Sequence, residues 1–179
     1  MMLLAIEVSL YCPRFVVMDV NENKPRLIFT AVIDHQREAS MSQHNRTPAA
    51  TLLLEIADKL SFILTAYPVT HAVWHMRQLG IANMDAAKTA LGAVLLTLMQ
   101  HGVDATEMLR SRSSLLLTGT SKPDVKKIQS VQAHYLPAVP PPFISLSLIG
   151  LAWMIAQQMI SHHPVLERRG AHTETAGTS

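Results

Sequence analysis

Polar and apolar positions along this chain switch from a strand-like to a helix-like pattern near residue 48. Residues 2–10 (MLLAIEVSL) form an apolar run broken by Glu7, and residues 14–20 (RFVVMDV) and 26–34 (RLIFTAVID) are rich in β-branched and apolar side chains. The turn-forming stretch Asn21-Glu22-Asn23-Lys24-Pro25 separates the last two. Three such runs with short connections predict an antiparallel meander. Residues 35–47 are polar and aperiodic, which predicts a loop. Thr47-Pro48 then supplies a helix cap and a proline suited to the first turn. Leu52, Leu53, Ile56, Leu60, Ile63 and Leu64 follow at helical spacing and predict a helix over 49–66.

The second half repeats a strand–helix alternation. Residues 71–76 (HAVWHM) are short and apolar enough for a buried strand. A helix begins at Asn83 or Asp85 and runs to about residue 100, stopped by Gly102. Residues 104–109 predict a strand. Ser121-Lys122-Pro123-Asp124 opens a helix to about Tyr135, and residues 137–142 (PAVPPP) form a stiff connector. A last helix occupies 143–160. Residues 162–179 hold too few apolar side chains to pack, so the expectation is one domain over 1–161 and a disordered tail over 162–179. Strands joined by helical crossovers imply a mixed sheet with helices on its faces.

Composition narrows the classes. At 179 residues with 49% hydrophobic and 16% charged side chains, the chain has the material for a packed core and is no disordered polyelectrolyte. A formal charge of +2 is compatible with a polyanionic partner without demanding one. The single cysteine, Cys12, reads as a small core residue in a reducing compartment. No basic region precedes the N-terminal apolar run and Glu7 interrupts it, so no secretory signal is expected. The run at 143–160 approaches membrane-spanning length, but Ser145, Ser147, Gln157 and Gln158 mark it as a buried core helix. The expected setting is cytoplasmic, with no membrane.

Several segments then share one resemblance. Leu3-Leu4-Ala5-Ile6-Glu7 resembles the first strand of the RuvC-type Holliday-junction resolvases, where an aspartate begins a metal site. Residues 85–95 (DAAKTALGAVL) are similar to that family's central helix. Residues 102–119 resemble its fifth strand, basic turn and Thr-Gly loop; 122–131 (KPDVKKIQSV) resemble the next helix, and 147–152 (SLIGLA) the last. The resemblance runs in order over about 2–160. It implies an α/β, RNase H-like fold: a mixed sheet, built as a three-stranded antiparallel meander plus parallel strands, flanked by helices. It also implies dimers that pair through the central helix.

Carried over residue by residue, the resemblance removes the family's activity. Glu7 matches the first acid with one more methylene. The second acid falls at or beside Trp74, and the acids of the last helix fall near Ile144 and Ser147; no acid occurs between Asp124 and Glu167. Phosphodiester hydrolysis of this class clamps the reacting oxygens with two divalent ions about 4 Å apart. Such ions need several carboxylates to offset their charge. The expected protein is therefore a catalytically inactive, resolvase-like one that binds duplex or branched DNA within a homodimer or larger complex, with no metal or other cofactor. Glu7 is its vestigial catalytic position, read as a satisfied or edge-exposed strand residue. Arg77, Arg110, Arg112, Lys122, Lys126 and Lys127 are its expected nucleic-acid contacts, helped by helix N-terminal N–H groups at 122–125.

Two alternatives stand beside it. One is a structural subunit that uses the inactive fold for protein contacts alone. The other is a Mg2+-dependent nuclease with a rearranged site, for which Asp34, Asp58 and Asp104 are available. His71 and His75, four apart on one strand, are a conceivable metal pair but read as structural side chains. His162-His163 complements a helix end.

Overall fold

The computed structural model describes residues 1–21, 24–35, 41, 47–76 and 84–160. The meander forms as expected: β1 (Met2–Val8), β2 (Arg14–Asn21) and β3 (Lys24–Val32) pair antiparallel in sequence. After α1 (Ala49–Ala66) the chain enters β4 (Val69–Met76), which lies parallel to β1 on its other side. Helix α2 (Met84–Gln100) crosses over to the edge strand β5 (Asp104–Glu107), parallel to β4. The result is a five-stranded mixed sheet in the order β3-β2-β1-β4-β5.

Strand alternation divides the core. On one face Leu4, Ile6, Phe15, Val17 and Ala72 pack against Leu52, Ile56, Leu60 and Ile63 of α1 and against Ala90, Val94 and Leu98 of α2. On the other, Leu3, Ala5, Val16, Met18 and Val73 meet three helices: α3 (Arg110–Thr118), α4 (Val125–Tyr135) and α5 (Ile144–Ala156). Because β1 is covered on both faces, its apolar run need not alternate with polar residues. The same holds for α5, which is buried around its whole circumference from Leu146 to Met154. Its Gly150 lies flat on the sheet: a Cβ there would stand 2.8 Å from the Met18 sulfur. No helix among the described residues is long and apolar enough to cross a membrane.

Two sequence expectations need correcting. Residues 110–118 form a helix rather than a basic turn and loop. Their Ser-rich start has little helical preference; docking against α5 fixes them, with Ser113 and Leu117 buried and Gly119 closing the helix at φ 73°. The last helix ends at Ala156, four residues early, where Gln157 caps it. On α2, the helix expected to pair two chains, Val94 is fully buried in the domain's own core, and the exposed apolar side chains are Leu95, Leu96 and Met99. Residues 162–179, including His162-His163, and Arg77 lie outside the described residues.

Candidate functional site

Side chains with chemistry gather where β1 and β4 end. Register decides which of them share a face. Glu7 of β1 is paired with Arg14 of β2 on one side and His75 of β4 on the other. All three are in step with Leu3, Ala5, Val16 and Val73, so they point toward the α3–α5 face. They form a row, Arg14–Glu7–His75, at the floor of a cavity of about 570 Å3. Ser145 of α5 and Arg110 of α3 enter from that face, Met84 and Ala87 of α2 line the opposite wall, and Glu107 closes the end of β5. The cavity thus sits at the carboxyl ends of parallel strands, the usual place for a site in an open α/β sheet.

Glu7 is 5% exposed and is satisfied by an ion pair, with Arg14 Nη1 donating to its Oε2 at 3.3 Å. His75 is 8% exposed, and its Nε2 has no hydrogen-bond partner among the described residues; nor has Arg14 Nε. Burial pushes the His75 imidazole below its ordinary pKa. The Glu7 charge and a backbone hydrogen bond at Met76 act against that, and the Arg110 charge acts with it. A histidine lowered in the fold is protonated first in the unfolded chain. Stability should therefore be complete above the ordinary value of about 6.5 and decline as pH falls through it toward the lower folded value. Denaturant titrations at stepped pH check this: the decline should shrink in His75→Gln, and an undiminished decline would count against it. His71 keeps part of the slope, because burial lowers it as well against the opposing charge of Asp104.

The residues expected from sequence are partly assembled here. Glu7 holds its place. Trp74 does not, since alternation turns it to the α1–α2 face, where it packs with the core opposite Glu7; the position beside it, His75, faces the cavity. On α5, Ser147 is fully buried, and the cavity takes Ser145 instead. His71 stacks on Trp153 with ring centroids 4.4 Å apart, and its Nε2 lies 2.9 Å from the Thr106 hydroxyl, which makes it a structural side chain. Of the acids held in reserve, Asp34, Asp58 and Asp104 do not line the cavity, whereas Glu107 does. Arg14, Glu107 and Ser145 were missed as site residues. Only the row in which a strand partner falls identifies Arg14, and the sequence carries no mark of it.

Arg110 and Ser145 also belong to a second cleft of about 640 Å3, which continues between α3, α4 and α5. Ser111, Ser114, Ser121 and Lys122 edge it, over a floor that includes Leu117, Ile128 and Leu148. Arg110 and Lys122 are thereby brought together. Arg112 and Lys126 are exposed but line neither cleft. The start of α4 differs from expectation. Asp124 caps it by accepting the Lys127 backbone N–H at 2.8 Å, so a carboxylate occupies the helix end offered to phosphate.

No family model matches the chain, and no curated protein sequence matches it. Solved structures match it in three dimensions. A structure of RuvC from Thermus thermophilus aligns with a TM-score of 0.71 at 16% identity, covering 88% of this chain and 97% of that one. T. thermophilus RuvC in complex with Holliday junction substrate gives 0.72 at 18%, covering 89% and 96%. A yeast mitochondrial Holliday junction resolvase gives 0.55 at 11%, covering 88% and 79%. This chain has the RuvC-type RNase H-like fold. At such identities the likeness is one of backbone architecture, and the chemistry must be argued from the cleft itself.

That cleft suits a pair of hard divalent cations poorly. Its one buried carboxylate already carries an arginine, its neighbour is an imidazole, and α5 offers a hydroxyl. Among the described residues no three Asp, Glu, His or Cys side chains stand close enough to share an ion. Magnesium prefers carboxylate and water oxygens, and a guanidinium beside Glu7 repels any cation that approaches it.

Proposed function

We propose that this protein binds branched DNA and leaves it uncut. The observation that carries the reading is the Arg14–Glu7 ion pair in the cleft at the ends of β1 and β4: where a two-ion nuclease needs a cluster of negative charge, this chain sets a carboxylate already neutralised by a guanidinium. Binding is supported by the fold, since the T. thermophilus RuvC of the same architecture was solved with its Holliday junction substrate. It is supported too by the basic side chains Arg110 and Lys122 along two adjoining clefts. Phosphate contacts from such side chains give affinity and orientation without sequence choice.

The test is a four-way DNA junction mixed with purified protein in magnesium or manganese. A retarded complex with intact strands is the expected result. Cleavage that needs the metal and disappears in Glu7→Gln would overturn the inactive assignment, and the absence of any complex would remove the DNA reading.

The second reading, a subunit that works through protein contacts, is favoured by the exposed apolar side chains of α2, with Leu96 51% and Met99 70% exposed. A two-fold pairing would use this patch twice. Light scattering at micromolar concentration should give a dimer mass that falls to monomer in Met99→Glu with the circular dichroism spectrum unchanged. A monomer in the unmodified protein discards the pairing.

A further inference from the structure

We propose that the cleft above Glu7 is a phosphoryl-anion subsite, in which Arg14, Arg110 and His75 take the place that cations hold in a metal-dependent nuclease. It rests on the reading above for the source of its ligand, the phosphate backbone of DNA.

Four observations converge on an anion. Arg14 spends one nitrogen on Glu7, which offsets that carboxylate, while its buried Nε has no hydrogen-bond partner among the described residues. A guanidinium carries five N–H donors in a rigid fork and matches phosphoryl oxygens in pairs. His75, more than nine-tenths buried, also lines the cavity, with no partner for its Nε2 among the described residues. Leaving buried polar groups unpaired costs stability, and a phosphoryl group has several oxygens, so separate ones can accept from Arg14 and from the protonated His75 ring. Arg110 stands exposed at the junction of the two clefts, where an anion can pass from solvent to the floor. The cavity volume of about 570 Å3 lies within the range of ligand sites, about 300–1,000 Å3.

Charge decides the sign. The ionisable lining is Glu7 and Glu107 against Arg14 and Arg110, with His75 between them. Glu7 is buried and already paired, so it adds little repulsion. Glu107 is exposed, and water screens it. What remains for an anion is the Arg110 charge and the N–H donors that Arg14 does not spend on Glu7. A cation site would respond in the opposite way to every change in this lining, and the experiment uses that opposition.

Sulfate is the probe, because it keeps its charge over the working pH range and has the shape of a phosphoryl group. It is titrated into the full-length protein while the His75 ring and arginine side-chain resonances are followed by NMR. The expected result is saturable movement of His75 and Arg14. Arg110→Gln should weaken sulfate binding about tenfold, the loss of one charge-assisted contact. Glu107→Gln should strengthen it. Both positions are exposed, so neither variant threatens the fold. On a four-way junction, sulfate should displace protein more effectively than chloride at matched ionic strength. Sulfate bound in the cleft without any junction binding keeps the subsite, assigns it to a free phosphoryl ligand and removes the DNA reading. Junction binding with no sulfate response at His75 overturns the subsite and leaves the DNA reading intact. Movement of the same resonances by magnesium alone, or weaker sulfate binding in Glu107→Gln, also overturns it.

Discussion

Replacing Arg14 with methionine is expected to lower the stability of the domain by about 3 kcal/mol, the scale of stripping a buried charge of its partner. Glu7 lies at the floor of the cleft with only 7% of its side chain exposed, and Arg14 Nη1 is its ion-pair partner at 3.3 Å. Methionine keeps much of the stem's packing, so the loss reports the charge rather than a cavity. Adding Glu7→Gln to Arg14→Met should recover a large part of it, because the uncompensated carboxylate is then gone. Urea unfolding of the four proteins in a double-mutant cycle measures the coupling. A loss below about 0.5 kcal/mol for Arg14→Met would class the pair with exposed surface bridges and would remove the physical basis for calling the row a fixed substitute for a metal site.

A second large effect is expected in DNA binding. With Lys122, Lys126 and Lys127 changed together to alanine, affinity for a four-way junction should fall about a hundredfold at low salt, with the same loss on duplexes of unrelated sequence. The slope of log affinity against log salt should flatten by about 2 to 3, since each phosphate contact accounts for about 0.9. Lys122 edges the second cleft, Lys126 is exposed, and Lys127 is half-buried in the first turn of α4. The contribution of Lys127 is therefore the smallest of the three, and Asp124 beside it opposes phosphate at that helix end. Affinity and slope both unchanged in the triple variant would shift the reading toward protein contacts through Leu95, Leu96 and Met99.

The two effects separate the parts of the molecule. Arg14 acts on the fold and on the floor of the cleft, whereas Lys122 and Lys126 are solvent-facing and act on association. A variant that lost DNA binding through unfolding would fail the stability measurement first.

The pattern of side chains alone determined the meander, α1, α2 and the two later strands. Short apolar runs rich in Val, Ile and Phe, closed by turn residues, specify strands locally, and a one-sided apolar stripe specifies a helix wherever the chain places it. The buried character of α5 was equally legible, because a continuous apolar run from Leu146 to Met154 has no solvent face to offer. The donor poverty of the last helix could be read directly as well: no acid stands between Asp124 and Glu167.

Only the tertiary structure decided the cleft. In a strand, one residue of offset moves a side chain to the opposite face; hence Trp74 belongs to the α1–α2 core and His75 to the cavity, although they are neighbours in the chain. Arg14 meets Glu7 through the register of β2 on β1. Glu107 arrives from a strand that pairs with β4 only after α2 has crossed over. Helix α3 exists because α5 offers it a surface: Ser113 and Leu117 are buried in that contact, with the Ser113 hydroxyl facing the Leu148 carbonyl at 3.5 Å. Local propensity is blind to each of these, because each is a contact between residues distant in sequence. Residue types set what the cleft can be made of, and register and packing set which of them meet there.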